Sequence, residues 1–344
     1  MRAAALHSRP SSLLDHIGVL AAVLDIPLLI SDEETAQLAN VFYPQVRVIL
    51  QEPTLDYLAA NFDILFVSSK LWAIELYHTF PLVCGKKMRI VYCPHGNSDK
   101  GYTLTEEHHN PEDISLLYGD HMVDLLKDTG MFDKIQHVIP TGNYRHAFFL
   151  EHRAFYEQLV QEKVPLDKTK KTILYAPTWH STETPSSFFA ECTRLIDQLP
   201  SHFNLLIKLH PYLYEQKPAQ TTHLLEKQHP NVLFLDEFPP VYPLLTLSDI
   251  YLGDFSSVGY DFLVMDKPMY FFNPGGVRDR GRFLHRCGME VPEGNVFEFI
   301  EKTLENNRVE FAEKRRETCL YTFGKPRKLS EIGKNIVENI SSLI

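Results

Sequence analysis

The residues best suited to chemistry in this sequence are two adjacent serines that follow a short apolar run. The run covers residues 250–252, and Ser256 and Ser257 come four residues later. The apolar spacing after the serines is typical of a helix, so the segment predicts strand, loop and helix. A loop at the carboxyl end of a strand, with hydroxyls and free N–H groups at a helix start, can bind a phosphate. A serine N-cap with nothing bound is the alternative.

Two loops in the first half also carry reactive groups after predicted strands. His95 stands beside Gly96, and because imidazole titrates near neutrality it can accept a proton from an attacking hydroxyl. A purely structural histidine is the alternative, since the chain has 16 of them. Gly142 permits a tight approach, and Arg145 can bind an anion through two hydrogen bonds. The alternative for Arg145 is a solvated side chain at a helix start.

Two further loops lie in the second half. Thr178 can bond a phosphate oxygen or a base and Trp179 can stack on one, against the alternative of a turn with a packed tryptophan. Lys208 and His210, just before Pro211, fall on one face of a strand and suit a diphosphate. The alternative is an exposed strand end. All five loops are expected to open toward the same edge of their sheets.

Continuous apolar runs that alternate with helical patterns set out the elements that hold these loops. Such runs are typical of parallel sheets covered by helices on both faces. The charged, proline-containing residues 164–171 are the best linker candidate. We therefore predict an α/β fold of two Rossmann-like domains, residues 1–165 and 166–344, that face each other across a cleft, with helices at the C-terminus.

Composition limits the class of protein. With 344 residues and 44% hydrophobic content the chain predicts about two folded domains, and its net charge of −10 argues against general nucleic-acid binding. Five scattered cysteines without a C-x-x-C predict neither disulfides nor zinc, and they favour a reducing cytoplasm. No D-x-D follows a strand, so we expect no nucleotide-bridging metal and no cofactor.

Two stretches of the sequence are relevant to membrane association. The apolar residues 17–30 are preceded by Asp15 and His16 and interrupted by Asp25 and Pro27. This stretch is too short and too broken to span a bilayer, so any membrane role is expected to be peripheral. Basic residues near the C-terminus suggest an anionic polymer or an anionic lipid surface, with a solvated helix face as the alternative. They are Lys314, Arg315, Arg316, Lys325, Arg327 and Lys328.

In this order the motifs resemble the CDP-glycerol glycerophosphotransferase family of teichoic-acid-type polymerases and primases. The resemblance rests on His95-Gly96, Gly142 with Arg145, YAPTW at 175–179, KLHP at 208–211 and SDIYLGDFSSVGYDF at 248–262. Two loops depart from the family pattern. The usual His-Gly-Thr-Pro continues here with Asn97 and Ser98, and the usual Gly-x-Pro-Arg is here Gly-Asn-Tyr-Arg.

The resemblance implies a glycosyltransferase-B type fold with the acceptor on the first domain and a CDP-alcohol on the second. It implies transfer of glycerol phosphate, or a related alditol phosphate, to an acceptor hydroxyl with release of CMP. By motif, His95 is similar to the family's general base and His210 to its diphosphate-binding histidine, both counted as catalytic. The donor-binding residues so predicted are Gly96, Gly142, Arg145, Thr178, Trp179, Lys208, Pro211, Asp254, Ser256, Ser257 and Asp261, the two aspartates being positional.

Two other functions stay open. One is a glycosyltransferase or epimerase of the same fold that uses another nucleotide-sugar. The other is a non-catalytic nucleotide-binding relative. For the CDP-alcohol transferase, the expected partners are a polyol-phosphate or lipid-linked glycan acceptor and an anionic membrane surface. Its expected role is cell-envelope polymer synthesis on the cytoplasmic side.

Overall fold

The structure is a computed structural model that describes residues 2–8, 10–99, 112–180, 185–227, 229–235, 237–276 and 283–343. The chain divides into two compact units. The first unit comprises Met1–Asn97, Gly101–His152 and Tyr321–Ile344, and the second comprises Ser98–Lys100 and Arg153–Leu320. Each unit is built on its own parallel sheet.

The first unit contains a seven-stranded sheet in the order β3-β2-β1-β4-β5-β6-β7. Every strand pairing in it is parallel. The strand order reverses between β1 and β4, which is where open α/β sheets bind their ligands. The strands are β1 Ala3–Leu6, β2 Leu28–Ile30, β3 Val48–Leu50, β4 Ile64–Val67, β5 Arg89–Tyr92, β6 Glu112–Leu117 and β7 Ile135–Pro140.

Helices follow the strands of the first unit, and several of these helices have a polar N-cap residue. Asp32, for example, accepts a hydrogen bond from Thr35 N at 2.8 Å, which satisfies a backbone donor at the helix start. The α-helices are Val19–Val23, Glu33–Phe42, Leu55–Asn61, Lys70–Val83, Asp120–Asp128, Tyr144–Glu151 and Leu329–Ser341. A 3-10 turn at Ser11–Leu13 and a π-helical turn at Leu14–Gly18 lead into the first of them.

The second unit contains a six-stranded sheet, again wholly parallel, in the order β10-β9-β8-β11-β12-β13. Its order reverses between β8 and β11, so it repeats the doubly wound pattern of the first unit. The strands are β8 Lys171–Ala176, β9 Phe203–Lys208, β10 Val232–Leu235, β11 Ile250–Gly253, β12 Met269–Phe271 and β13 Met289–Glu290. The hydrophobic core on one side of this sheet includes Ile173, Leu205 and Leu252, which lie on its central strands and are fully buried.

Seven α-helices belong mainly to the second unit among the described residues. They are Arg153–Lys163, Phe188–Gln198, Pro211–Gln216, Pro218–Leu225, Tyr242–Leu247, Ser257–Phe262 and Val296–Glu310. An eighth, Ala312–Phe323, leads the chain from the second unit back into the first. In the described part of the chain, no helix combines the length and the apolar character needed to cross a bilayer.

The prediction of two Rossmann-like α/β domains is confirmed, and the predicted boundary at residue 165 differs from the units in two places. The long helix expected over residues 144–161 is two helices that meet at His152, where the units divide. The C-terminal helix Leu329–Ser341 belongs to the first unit. It buries Ile332, Ile336 and Ile340 there, and an apolar stripe of this kind needs a core to pack against.

Candidate functional site

His95 lies in the loop that follows β5. Gly96 beside it has φ +114°, a left-handed conformation that glycine adopts without strain. His95 Nδ1 lies 3.3 Å from the carbonyl oxygen of Ser68. A carbonyl can only accept, so Nδ1 carries the proton and the lone pair of the neutral ring is on Nε2. A neutral imidazole with a lone pair on one nitrogen can act as a general base, and here that nitrogen is Nε2.

The charge state of His95 follows from its surroundings. The side chain is accessible to solvent, but desolvation by nearby protein atoms lowers its pKa below the usual histidine value, and the bond to Ser68 offsets this only in part. A lowered pKa keeps the imidazole neutral at pH 7 and above. Both the tautomer and the charge suit proton acceptance, and the catalytic role itself stays a prediction.

His16, on the π-helical turn, lies beside His95 with ring centroids 6.4 Å apart. Its Nδ1 is 3.1 Å from the hydroxyl of Tyr118, and that hydroxyl donates to the carbonyl of Pro94 at 3.1 Å. Burial, with smaller effects of Arg145 and His95, lowers the pKa of His16 well below its usual value. This neutral network fixes the backbone just before His95. The sequence signal for it was the polar pair 15–16 ahead of an apolar run.

Arg145 has a different role from the predicted anion ligand. Its guanidinium is buried, with 3% of the residue exposed. It donates to the backbone oxygen of Asp15 at 3.0 Å and forms an ion pair with the Asp15 carboxylate. A buried arginine needs such a partner, because an unpaired buried charge is strongly destabilising. Arg145 therefore holds the turn that carries His16.

Gly142 also serves packing in the first unit. Its φ of +67° is left-handed, and a Cβ there would stand 3.3 Å from Phe323 O and 3.4 Å from the guanidinium of Arg327. The space beside Gly142 is thus filled by the C-terminal segment. The groups that approach Gly142 closely in the first unit are Phe323 and Arg327 of the protein itself.

In the second unit, Asp254 joins the loops that follow β8 and β11, the two strands between which the sheet order reverses. Its carboxylate is fully buried. It accepts from Thr178 N at 2.8 Å, from Ser187 N at 2.9 Å and from Ser187 Oγ at 2.7 Å. The positional role expected for Asp254 matches these contacts, whereas the carboxylate is occupied by protein donors rather than directed at a ligand.

The loops after β9 and β10 join the same edge of this sheet. The ring of Trp179 lies 6.4 Å from that of His210, centroid to centroid. His210 caps the helix Pro211–Gln216 and its Nδ1 accepts from Tyr212 N at 3.2 Å, so the proton of the neutral ring is on Nε2. Lys208 Nζ donates to Phe238 O at 3.0 Å. The neutral ring of His210 therefore carries its N–H on Nε2, and a phosphate oxygen can accept from such a donor.

The strand, loop and helix predicted for residues 248–262 are present. Ser256 is the N-cap of Ser257–Phe262, and its Oγ accepts from Val258 N at 3.4 Å. Asp261 is buried and accepts from Tyr242 Oη at 2.9 Å, so it supports the helix rather than meeting a ligand. The alternative of a capped helix describes these contacts, and phosphate binding by the two serines stays a prediction.

Sequence reasoning missed two supports of this helix. His285 is stacked between Phe255 and Phe271, at centroid distances of 4.9 and 4.5 Å, and its Nε2–H donates to Asp254 O at 3.1 Å. Asp99 accepts from the Tyr260 hydroxyl and from Leu284 N. Burial raises the pKa of Asp99 to about 6. Asp99 stands four residues after His95, but its partners Tyr260 and Leu284 are distant in sequence, so the local pattern does not show its role. His285 lies outside the motifs that the sequence analysis singled out.

The predicted basic patch near the C-terminus is partly occupied by internal contacts. The Arg315 side chain is fully buried and bonds Asp266 at 3.1 Å. Arg316 bonds the same carboxylate at 2.9 Å, and Lys314 pairs with Glu317 at 3.0 Å. Arg315 is therefore not part of a lipid- or polymer-facing surface.

A sequence model described as CDP-Glycerol:Poly(glycerophosphate) glycerophosphotransferase matches residues 67–285. The chain belongs to this family. The matched range contains every predicted site residue from His95 to Asp261, and also His285, but it leaves out Asp15 and His16. The network behind His95 is thus partly built from a segment that the family match does not cover.

Curated relatives include the teichoic acid glycerol-phosphate primase of Bacillus spizizenii, 29% identical over 226 residues, or 63% of this chain and 56% of the relative. The teichoic acid poly(ribitol-phosphate) polymerase of the same organism is 27% identical over 187 residues, 52% of this chain and 28% of that protein. The matches thus span between about a quarter and just over half of these two relatives' length.

Solved structures show the same fold. The wall teichoic acid polymerase TagF has a TM-score of 0.66 at 14% identity, covering 100% of this chain and 90% of that one. A UDP-GlcNAc 2-epimerase from Neisseria meningitidis, bound to UDP-GlcNAc, has a TM-score of 0.61 at 16% identity, covering 99% of each chain. The resemblance to a glycosyltransferase-B type fold agrees with these neighbours.

Proposed function

We propose that this protein transfers glycerol phosphate, or a related alditol phosphate, from a CDP-alcohol to an acceptor hydroxyl and releases CMP, in the synthesis of a cell-envelope polymer. Family membership gives the reaction class. The observation that carries the proposal is the Nδ1 contact between His95 and Ser68 O, because it leaves the Nε2 lone pair of a neutral imidazole to accept a proton.

In the proposed reaction the acceptor oxygen attacks the distal phosphorus of the CDP-alcohol. A new P–O bond forms, the bond to the bridging oxygen breaks, and CMP leaves with that oxygen. His95 Nε2 takes the proton of the attacking hydroxyl. His210 Nε2–H and the Lys208 ammonium suit the negative charge that grows on the leaving group, as phosphoryl transfer depends mainly on positioning and charge stabilisation.

The test is CMP release from CDP-glycerol and CDP-ribitol with candidate polyol-phosphate acceptors, with UDP-GlcNAc as the comparison donor. His95→Ala should lower turnover at least about 100-fold, since a placed base contributes about 10²–10⁴-fold, while donor binding persists. Because the pKa of His95 is lowered, the acidic limb of the rate should lie below the usual histidine value of about 6.5. His202→Ala, at an exposed histidine of the second unit, is the control.

Normal turnover of folded His95→Ala protein would overturn the assignment, and so would processing of UDP-GlcNAc alone. Binding of CDP-glycerol without CMP release from any acceptor would favour a non-catalytic relative. We also propose that no divalent ion is needed. Loss of activity with a chelator and its rescue by Mg²⁺ or Mn²⁺ would contradict that part.

Location in the cytoplasm and attachment to an anionic membrane surface stay predictions from the sequence. With Arg315 buried, the remaining basic residues near the C-terminus carry the membrane prediction. Sedimentation with vesicles that contain or lack anionic lipid distinguishes attachment from a solvated helix face.

A further inference from the structure

Buried polar atoms without hydrogen-bond partners gather at one edge of the first sheet. Among the described residues there are fourteen such side-chain atoms, and five of them lie in the loops after β1, β4 and β5. They are His7 Nε2, Ser8 Oγ, Ser68 Oγ, Asn97 Nδ2 and Asn97 Oδ1. The exposed fractions of His7, Ser68 and Asn97 are 7%, 1% and 3%, so these side chains have little contact with bulk solvent.

The sheet register places these loops side by side. Leu6 is paired with Val67, and Val67 with Tyr92, so His7 and Ser68 directly follow paired residues on adjacent strands. Adjacent strands lie about 5 Å apart. The bond from His95 Nδ1 to Ser68 O ties the third loop to the second, and Asn97 is two residues further along. The cluster therefore lies where the strand order reverses.

The chemistry of the cluster is neutral. Serine hydroxyls and an asparagine amide both donate and accept, and burial lowers the pKa of His7 to about 4, so its imidazole is uncharged at pH 7. A hydroxyl group of a ligand also donates and accepts, whereas a phosphate oxygen only accepts and favours cationic partners. Buried polar groups are normally bonded, so this set has hydrogen-bonding capacity that the protein does not use and that a ligand's hydroxyl groups can fill.

We propose that Ser8, Ser68 and Asn97, with His7, form a subsite that binds the hydroxyl groups of an uncharged polyol or sugar in the acceptor. The inference rests on the proposed function, in which His95 takes a proton from one such hydroxyl. It assigns the recognition of the acceptor to the loops that follow β1 and β4 as well as to the loop that contains His95.

The test is binding of ribitol to the full chain, followed by saturation-transfer-difference NMR, in the wild type and in Asn97→Leu and Ser68→Ala. Leucine is close to asparagine in size but offers no hydrogen bond. Asn97→Leu should weaken ribitol binding about tenfold, since it removes a donor and an acceptor. Inorganic phosphate should not displace ribitol from the wild type.

The thermal stability of the ligand-free protein separates a binding role from a structural one. Asn97→Leu should keep or raise it, because the buried amide has no protein partner to lose. The control is Asn204→Leu in the second unit. Asn204 Nδ2 bonds Asp167 O at 2.8 Å and Thr172 Oγ1 at 3.2 Å, so its loss should lower the melting temperature and leave ribitol binding unchanged.

Three results would overturn the subsite: no ribitol signal from the wild type, an unchanged signal from Asn97→Leu, or displacement of ribitol by phosphate at similar concentration. Failure of the proposed transfer is measured separately, as absence of CMP release from CDP-alcohols. A chain that binds ribitol as predicted but releases no CMP would keep the subsite and lose the transferase.

Discussion

Removal of the Asp254 carboxylate should destabilise the second unit by an amount that depends on how many buried donors lose their acceptor. The carboxylate serves two backbone N–H groups, of Thr178 and Ser187, and the Ser187 hydroxyl. That hydroxyl has a second partner, Tyr175 Oη at 2.8 Å, so it is not left alone. The loss in free energy of unfolding therefore depends on the two N–H groups.

A buried donor that loses its acceptor costs about 1–3 kcal/mol. Asp254→Ala strands both N–H groups and should lower the free energy of unfolding by about 2–6 kcal/mol. Asp254→Asn keeps one carbonyl oxygen and turns an NH₂ toward the other donor, so it should cost about 1–3 kcal/mol. Asp261→Asn is the control, because its carbonyl oxygen can still accept from Tyr242, the partner seen at 2.9 Å.

Urea unfolding followed by tryptophan fluorescence measures these differences. The chain has two tryptophans, so a Trp72→Phe background leaves Trp179, next to Thr178, as the probe of the second unit alone. A single probe is needed because two units need not unfold together. If both Asp254 variants stay within about 0.5 kcal/mol of the parent, as surface substitutions do, the carboxylate does not hold these loops and the reasoning is refuted.

Three further predictions use the other buried groups. Arg145→Met should lower the free energy of unfolding of the first unit by about 3–5 kcal/mol, because it leaves the buried Asp15 carboxylate without a counter-charge, with the Tyr43 hydroxyl as its remaining side-chain donor. Adding Asp15→Asn should restore part of this loss in urea unfolding followed by Trp72 fluorescence, and an equal loss in the single and double variants would contradict the ion pair. Burial raises the pKa of Asp99 to about 6, so the folded state holds this proton longer than the unfolded chain, and stability of the second unit should fall as the pH rises from about 4 to about 6; the part due to Asp99 should vanish in Asp99→Asn, and an identical pH profile would refute it. His210→Ala should weaken CDP-glycerol binding about 10- to 150-fold in calorimetry, the value of a hydrogen bond to a charged group, and unchanged affinity would remove His210 from the donor site.

The strands and their order of appearance could be predicted from sequence because each is a short, continuous apolar run. A fully buried parallel strand has no polar face, so β1, β4 and β11 stand out against the helices between them. The loops after these strands could be named for the same reason. A polar residue that directly follows a buried strand must lie at the sheet edge.

The partners of the buried charges could not be predicted, because they are distant in sequence. Asp15 and Arg145 are 130 positions apart, and Asp254 and Thr178 are 76 apart. A local pattern shows that Arg145 can bind an anion and does not show that a carboxylate of the same chain occupies it. The C-terminal helix was placed in the wrong unit for a related reason, since chain order does not show which core its apolar face joins.

Whether a side chain already has protein hydrogen-bond partners is a better guide to ligand binding in these loops than its residue type. By type, Arg145 and Asp254 are stronger candidates for a ligand than Ser68 or Asn97. Their charges, however, meet protein partners already in place, and displacing those partners would cost more than a ligand contact returns. The side-chain polar groups of Ser68 and Asn97 are buried without protein partners, so a ligand hydroxyl can bond them without breaking a bond within the protein. On this reasoning Arg145 and Asp254 hold their loops in place, and the neutral groups of Ser68 and Asn97 are left to recognise what binds.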